Sequence, residues 1–194
     1  MSAVGFSSEE YRSLSTATYA LVGAASATSY VLYTQVGLSQ GGVIPLLRGT
    51  LAPSVRISSA DKVKIWRGFY NAAKKMALGG TAAAVLCDAV VVATHPNKCV
   101  RKLSLASGIV GALIVPFTFG FIMPTNKELF ALDDEKRLEG EVTPELEKKA
   151  DTLIGRWETL HACRFAMYAG AAILATCALL KDGRSTYVSE AVVF

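Results

Sequence analysis

Polar and apolar positions are segregated along this chain rather than interleaved. Charged residues are absent from 13–47, from 76–97 apart from Asp88, from 103–126 and from 165–180. The first three runs exceed the roughly 20 residues that cross a hydrocarbon core, and the fourth does so once 157–164 is counted with it. No stretch sustains an alternating period of two, and every run is far longer than a strand of about 4–8 residues. The pattern predicts an all-α protein. Helices apolar all round belong in a membrane or in the core of something larger than this chain. The expected architecture is therefore an integral membrane four-helix bundle, one domain over 1–194, with spans at about 14–36, 76–95, 103–123 and 157–180.

Local punctuation sharpens these bounds. "GGVIPLL" at 41–47 breaks the first helix, and "TLAPSVRISSADK" reads as a loop. Ser58 and Asp61 form a capping-box-like start to a second helix, which runs to His95, where Pro96 stops it. The third should kink at Pro116 and end in "IMPTNKELF", followed by an acidic loop. Thr143 and Pro144 suit the N-cap and first position of the fourth. From there to Leu180 is about 55 Å at 1.5 Å per residue, so nearly half must project beyond the bilayer. Aligning Trp66 with Trp157 matches Tyr70 to His161, Met76 to Met167 and Gly79 to Gly170, which favours two helix-pair repeats. In that topology Trp66, Trp157, Pro45 and "PTN" share one membrane face and His95 lies on the other.

Composition agrees: 52% of residues are hydrophobic, only 19% are charged, and mean hydropathy is +0.36. The net charge of +4 hides opposite local charges. Segment 48–75 carries seven basic residues against Asp61, and 124–160 carries six basic against ten acidic. In a membrane protein the basic patch reads as a headgroup-facing loop, so no nucleic acid partner is expected. Lys and Arg concentrate in 48–75 and 124–156, which by the positive-inside rule puts both loops in the cytosol and both termini across the membrane. An internal membrane, the endoplasmic reticulum or another, is the expected location, with room for a homo-oligomer. Cys87, Cys99, Cys163 and Cys177 form no C-x-x-C pair and read as small buried hydrophobes.

The candidate chemistry lies in "RWETLHACRFAMYAG" at 156–170. Trp157, His161, Arg164 and Tyr168 fall within about 60° of arc on a helix. An interfacial aromatic belt with a snorkelling arginine accounts for the Trp and the Arg. It does not call for three polar residues on one face. If that face points into the bundle, the groups converge on a cavity, and intramembrane ionisable residues are functional candidates. "MPTNKELF" adds Asn126, able to donate and accept, or else merely a helix-exit turn. Asp88 sits in mid-helix, about 18 Å past Met76, as a hydrogen-bonded structural carboxyl or an alternative base. Tyrosines of the first helix, Ser104 or Ser107 are its candidate partners. Two histidines at opposite ends of a bilayer cannot share a metal or haem. No dinucleotide or P-loop fingerprint occurs, and no Ser-His-Asp set, so neither metal nor nucleotide is expected.

"PTNKELF" followed by "WETLHACR" resembles the P-x-N-x-x-L and W-x-x-x-H-x-x-R pattern of the fungal anthrone oxygenases, four-helix membrane proteins. The resemblance extends over nearly the whole chain in length, span number and the Trp at 66. It implies oxidation of a polyketide anthrone to an anthraquinone in secondary metabolism, with dioxygen as co-substrate and no cofactor. His161, with a reference pKa near 6.5, would be the general base. Arg164 would hold the anthrolate oxygen, Asn126 would orient a phenol or peroxide oxygen, and Trp157, Tyr168, Trp66 and Tyr70 would pack the flat hydrophobic substrate. The competing expectation is a non-catalytic membrane scaffold or small transporter, whose stripe would face lipid or another subunit.

Overall fold

The computed structural model describes residues 15–135, 137, 138 and 142–191, with side chains as far as Gly183. Position 14, where the first run was expected to begin, and the charges at 12, 136, 139 and 141 lie outside these residues. So does the side chain of Arg184. Among the described residues there is no strand. The elements are α1 (Thr16–Gln40), α2 (Val43–Leu47), α3 (Ser59–Thr94), α4 (Lys98–Phe117), a π-helical turn (Thr118–Ile122), α5 (Met123–Asp134) and α6 (Pro144–Ala191). Four long rods result, because α4, the π-turn and α5 run on as one helix. They form an all-α bundle in which α1 packs most on α3, and α4 on α6.

The caps explain most of the boundaries. Ser58 accepts from the Asp61 backbone N–H at 3.1 Å and donates to its carboxylate at 2.7 Å, and His95 closes the other end of α3. Both were expected. The start of α4 is earlier than residue 103, because Asn97 caps it by accepting from the N–H groups of Cys99 and Val100. "GGVIPLL" does end α1, at Gln40, and holds the single turn α2. The end of the third helix also needs correction. "IMPTNKELF" does not terminate it. Pro124 is the second residue of α5, directly after the Met123 N–H that reaches back five residues to the Thr118 carbonyl, so the wide turn accommodates the proline within a continuous helix. The last helix starts at Pro144 as expected but runs to Ala191, well beyond Leu180.

Three helical stretches are long and apolar enough to cross a membrane: Ser59–Thr94, Lys98–Asp134 and Pro144–Gly183. The expected first span is helical from Thr16 onward, but its Ser, Thr, Tyr and Gln residues keep α1 out of that set. Within the three stretches no more than 28% of the most apolar window is buried. Leu86, Leu105, Ile109, Leu113 and Ile173 are all exposed on the outside of the bundle. Water would not tolerate so much apolar surface, and lipid does. The bundle is a membrane protein.

Close helix contact relies on glycine. A Cβ at Gly80 would come within 2.4 Å of Val31 Cγ2, and one at Gly23 within 2.9 Å of Cys87 Sγ, so α1 and α3 approach at these points. Trp66 and Trp157 share one end, with ring centroids 6.3 Å apart, in a core that includes Leu38, Val63, Leu129 and Ile154. The oppositely charged segments also meet there. Arg48 pairs with Glu158 at 2.5 Å, Lys62 with Asp151 at 2.9 Å, and Arg67 with Asp133 at 2.6 Å. His95 is at the other end, 3.0 Å from Asp182. The cysteines differ from expectation. All four are free, Cys99, Cys163 and Cys177 are exposed on outer faces, and Cys87 is only half-buried.

Candidate functional site

The stripe on α6 points inward. Trp157, His161 and Tyr168 are buried and Arg164 is half-buried, so the face does not look at lipid as a scaffold role would require. Trp157 and the His161 imidazole stack at 5.4 Å and 24°. One turn on, an Arg164 Nη lies 3.1 Å from His161 Nδ1. A guanidinium only donates, so Nδ1 accepts, and a neutral imidazole then carries its proton on Nε2. That Nε2 has no partner. Deeper still, the Tyr168 hydroxyl meets Thr81 Oγ1 at 3.2 Å across the bundle.

Trp157, Arg164, Tyr168 and Thr81, but not His161, border a cavity of about 320 Å³ among α1, α3, α4, α5, α6 and the π-turn. Its size falls within the roughly 300–1,000 Å³ of small-molecule sites. Trp157, Arg164 and Tyr168 form the α6 wall, and Tyr70, Thr81 and Leu78 the α3 wall. Asn126 joins from α5, with Thr118, Phe119 and Ile122 of the π-turn beside it. The lining is mostly apolar. Its few polar groups are poorly served: both amide atoms of Asn126 and the Arg164 Nε are buried without hydrogen-bond partners. Among the described residues no carboxylate pairs with Arg164. The nearest glutamate on its helix, Glu158, is engaged by Arg48. The cavity thus has a cationic wall lacking a counter-ion, with aromatic surfaces beside it.

Three expected residues stand elsewhere. His161 is behind the wall, covered by Trp157 and Arg164. Trp66 is wholly buried in the adjacent core, stacked on Tyr70 at 5.5 Å and packed against Phe130 at 5.1 Å. Asp88 is about 10 Å further along α3 than Thr81 and does not border the cavity. Both its oxygens are buried without partners. Ser107 faces it but donates to the Ala171 carbonyl at 3.2 Å, and Ser104 is buried with its own hydroxyl unpaired. The approach of Gly108 to the Asp88 carboxyl explains why the group fits between α3 and α4 at all.

The family model for anthrone oxygenase matches residues 66–174, more than half of the chain. The chain belongs to the anthrone oxygenase family. The matched stretch starts at Trp66 and contains every cavity residue contributed by α3, α5 and α6 in this anthrone oxygenase family member. It leaves out α1. No curated protein and no solved structure matches the chain.

Sequence reasoning missed Gln35, Thr81 and Thr118, which also border the cavity. Thr81 and Thr118 look like ordinary intrahelical threonines, and each does bond a carbonyl four residues back, at 2.7 Å. Gln35 carried a readable signal as an amide inside an uncharged run. Among the described residues no three His, Cys, Asp or Glu side chains converge as metal ligands would.

Proposed function

We propose that this membrane protein oxidises a polyketide anthrone to its anthraquinone with dioxygen, without metal or organic cofactor. The observation that carries the reading is the half-buried Arg164, paired with no carboxylate among the described residues, in the wall of an apolar cavity sided by aromatics. Such a wall favours a flat apolar molecule that becomes an anion. An anthrone is one, because loss of a methylene proton leaves the charge shared with its carbonyl oxygen.

The chemistry follows from the groups present. Arg164 turns from His161 Nδ1 to the ligand oxygen, and this frees the Nδ1 lone pair to take the methylene proton. His161 thereby becomes a base only when substrate is bound. The anthrolate passes one electron to dioxygen, and the resulting pair combines to form a C–O bond. The peroxide then loses the second methylene hydrogen as its O–O bond breaks, releasing water and leaving the new carbonyl. One anthrone and one dioxygen give one quinone and one water. Arg164 stabilises the oxyanion in a mostly apolar site, where such stabilisation is stronger than in water. Asn126 orients the oxygen at the reacting carbon, and Trp157, Tyr70 and Tyr168 hold the rings.

The test is purified protein in detergent with an anthrone, following oxygen uptake and quinone absorbance against a no-enzyme control. Stoichiometric uptake with catalytic turnover is expected. No conversion above the control leaves the scaffold or transporter reading.

A further inference from the structure

Gln35 lies on α1, outside the stretch that the family model matches, yet it borders the same cavity. It is only 1% exposed, and its Oε1 is buried without a hydrogen-bond partner. A buried amide oxygen left without a partner is destabilising, and nothing among the described residues offsets it at Gln35 Oε1. Its neighbours one turn away, Val31 and Leu38, are apolar and buried, so nothing in α1 itself calls for an amide there.

We propose that Gln35 is a specificity-determining residue that hydrogen-bonds a ring hydroxyl of the substrate, so that the cavity selects hydroxylated aromatic ketones over the bare tricycle. This rests on reading the site as an aromatic-substrate cavity. Arg164 and Asn126 stand on α6 and α5, while Gln35 approaches from α1. The substrate's oxygens are thereby met from separate elements, the carbonyl by Arg164 and a peripheral hydroxyl by Gln35. A phenol donates and accepts, so it suits either end of the carboxamide. The terminal torsion of Gln is broad enough for the amide to turn toward it. A site built to bond a hydroxyl also rejects the analogue lacking it, because its polar group is then left unpaired.

Binding without oxygen separates this from catalysis. Full-length protein in detergent, kept anaerobic, is titrated by tryptophan fluorescence with anthrone and with an anthrone carrying one hydroxyl remote from the carbonyl, where it has no internal partner. The wild type should bind the hydroxylated compound about tenfold more tightly, the worth of one satisfied buried hydrogen bond of roughly 1.4 kcal/mol. Gln35→Met, of similar volume, should lose that preference while binding bare anthrone unchanged, and its ligand-free melting temperature should not fall. Equal wild-type affinities for the two compounds would overturn the proposal even if every variant misfolded. So would equal weakening of both compounds by Gln35→Met. If the hydroxyl preference holds and vanishes in the variant, yet air admits no oxidation, the subsite stands and the oxygenase reading falls.

Discussion

At the scale of single residues, the α6 stripe was legible because helical periodicity alone puts Trp157, His161, Arg164 and Tyr168 on one face. That His161 lies behind Trp157 and Arg164 was not legible, since helical spacing sets the face but not the rotamers by which the two neighbours cover the ring. Gln35 was passed over because α1 is already rich in small polar residues. The proposed roles separate experimentally. His161→Ala should lower turnover by about 10²–10⁴, the usual worth of a positioned acid–base group, while substrate still binds. Arg164→Lys keeps the charge but shortens and rounds the donor. It should lower kcat as well, because Lys cannot bridge between imidazole and ligand oxygen as a planar fork does. Trp157→Phe should raise KM more than it lowers kcat, and Tyr70→Phe should change both little. If all four lose activity only in step with melting temperature, the stripe is structural.

At the scale of elements, the helices were legible and three of their ends, the start of α4, the end of α5 and the end of α6, were not. "IMPTNKELF" read as a stop, yet Pro124 stands in the first turn of α5 within a continuous helix, because the π-turn before it takes up the irregularity a mid-helix proline brings. Two adjacent glycines do opposite things. A Cβ on Gly79 meets nothing within 4 Å, whereas one on Gly80 collides with buried Val31. Gly79→Ala should raise the melting temperature in detergent by about 2–4 °C, since Ala is worth up to about 1 kcal/mol over Gly inside a helix. Gly80→Ala should lower it, because prising α1 from α3 costs more than propensity returns. It should also weaken ligand binding, as Gln35 rides on α1. A melting-temperature gain at both positions would show that α1 does not approach α3 so closely.

At the scale of the whole molecule, the segregation of charge forecast the membrane and the shared end of Trp66 and Trp157. It did not forecast that segments 48–75 and 124–160 would pair with each other rather than face headgroups separately. Arg48, Lys62 and Arg67 find acidic partners on α6 and α5. Of these only Lys62–Asp151 is an exposed pair, of the kind that is worth little, while Glu158 and Asp133 are buried or nearly so. The positive-inside rule counts Lys and Arg rather than net charge, so it survives the pairing. Both loops are expected in the cytosol, and tags at the two termini should be protected from protease in sealed membranes. Activity is expected to be indifferent to chelators and to added nicotinamide or flavin. A metal or haem found in stoichiometric amount, and lost together with activity, would refute that.

The wide turn at Thr118–Ile122 gives the 98–134 helix something no other part of it has, namely slack. A π-turn holds one residue more than regular α geometry needs while leaving both flanks in phase. Excising Gly120, which is exposed and touches nothing, removes that surplus, and Asn126 and Leu129 keep their faces. Excising Ile109 instead would turn everything beyond it by about 100°. A one-codon loss at 120 should therefore yield a protein that inserts and accumulates. Its catalysis should still falter, because Thr118, Phe119 and Ile122 would be drawn into a narrower wall. The same loss at 109 should yield no stable protein at all.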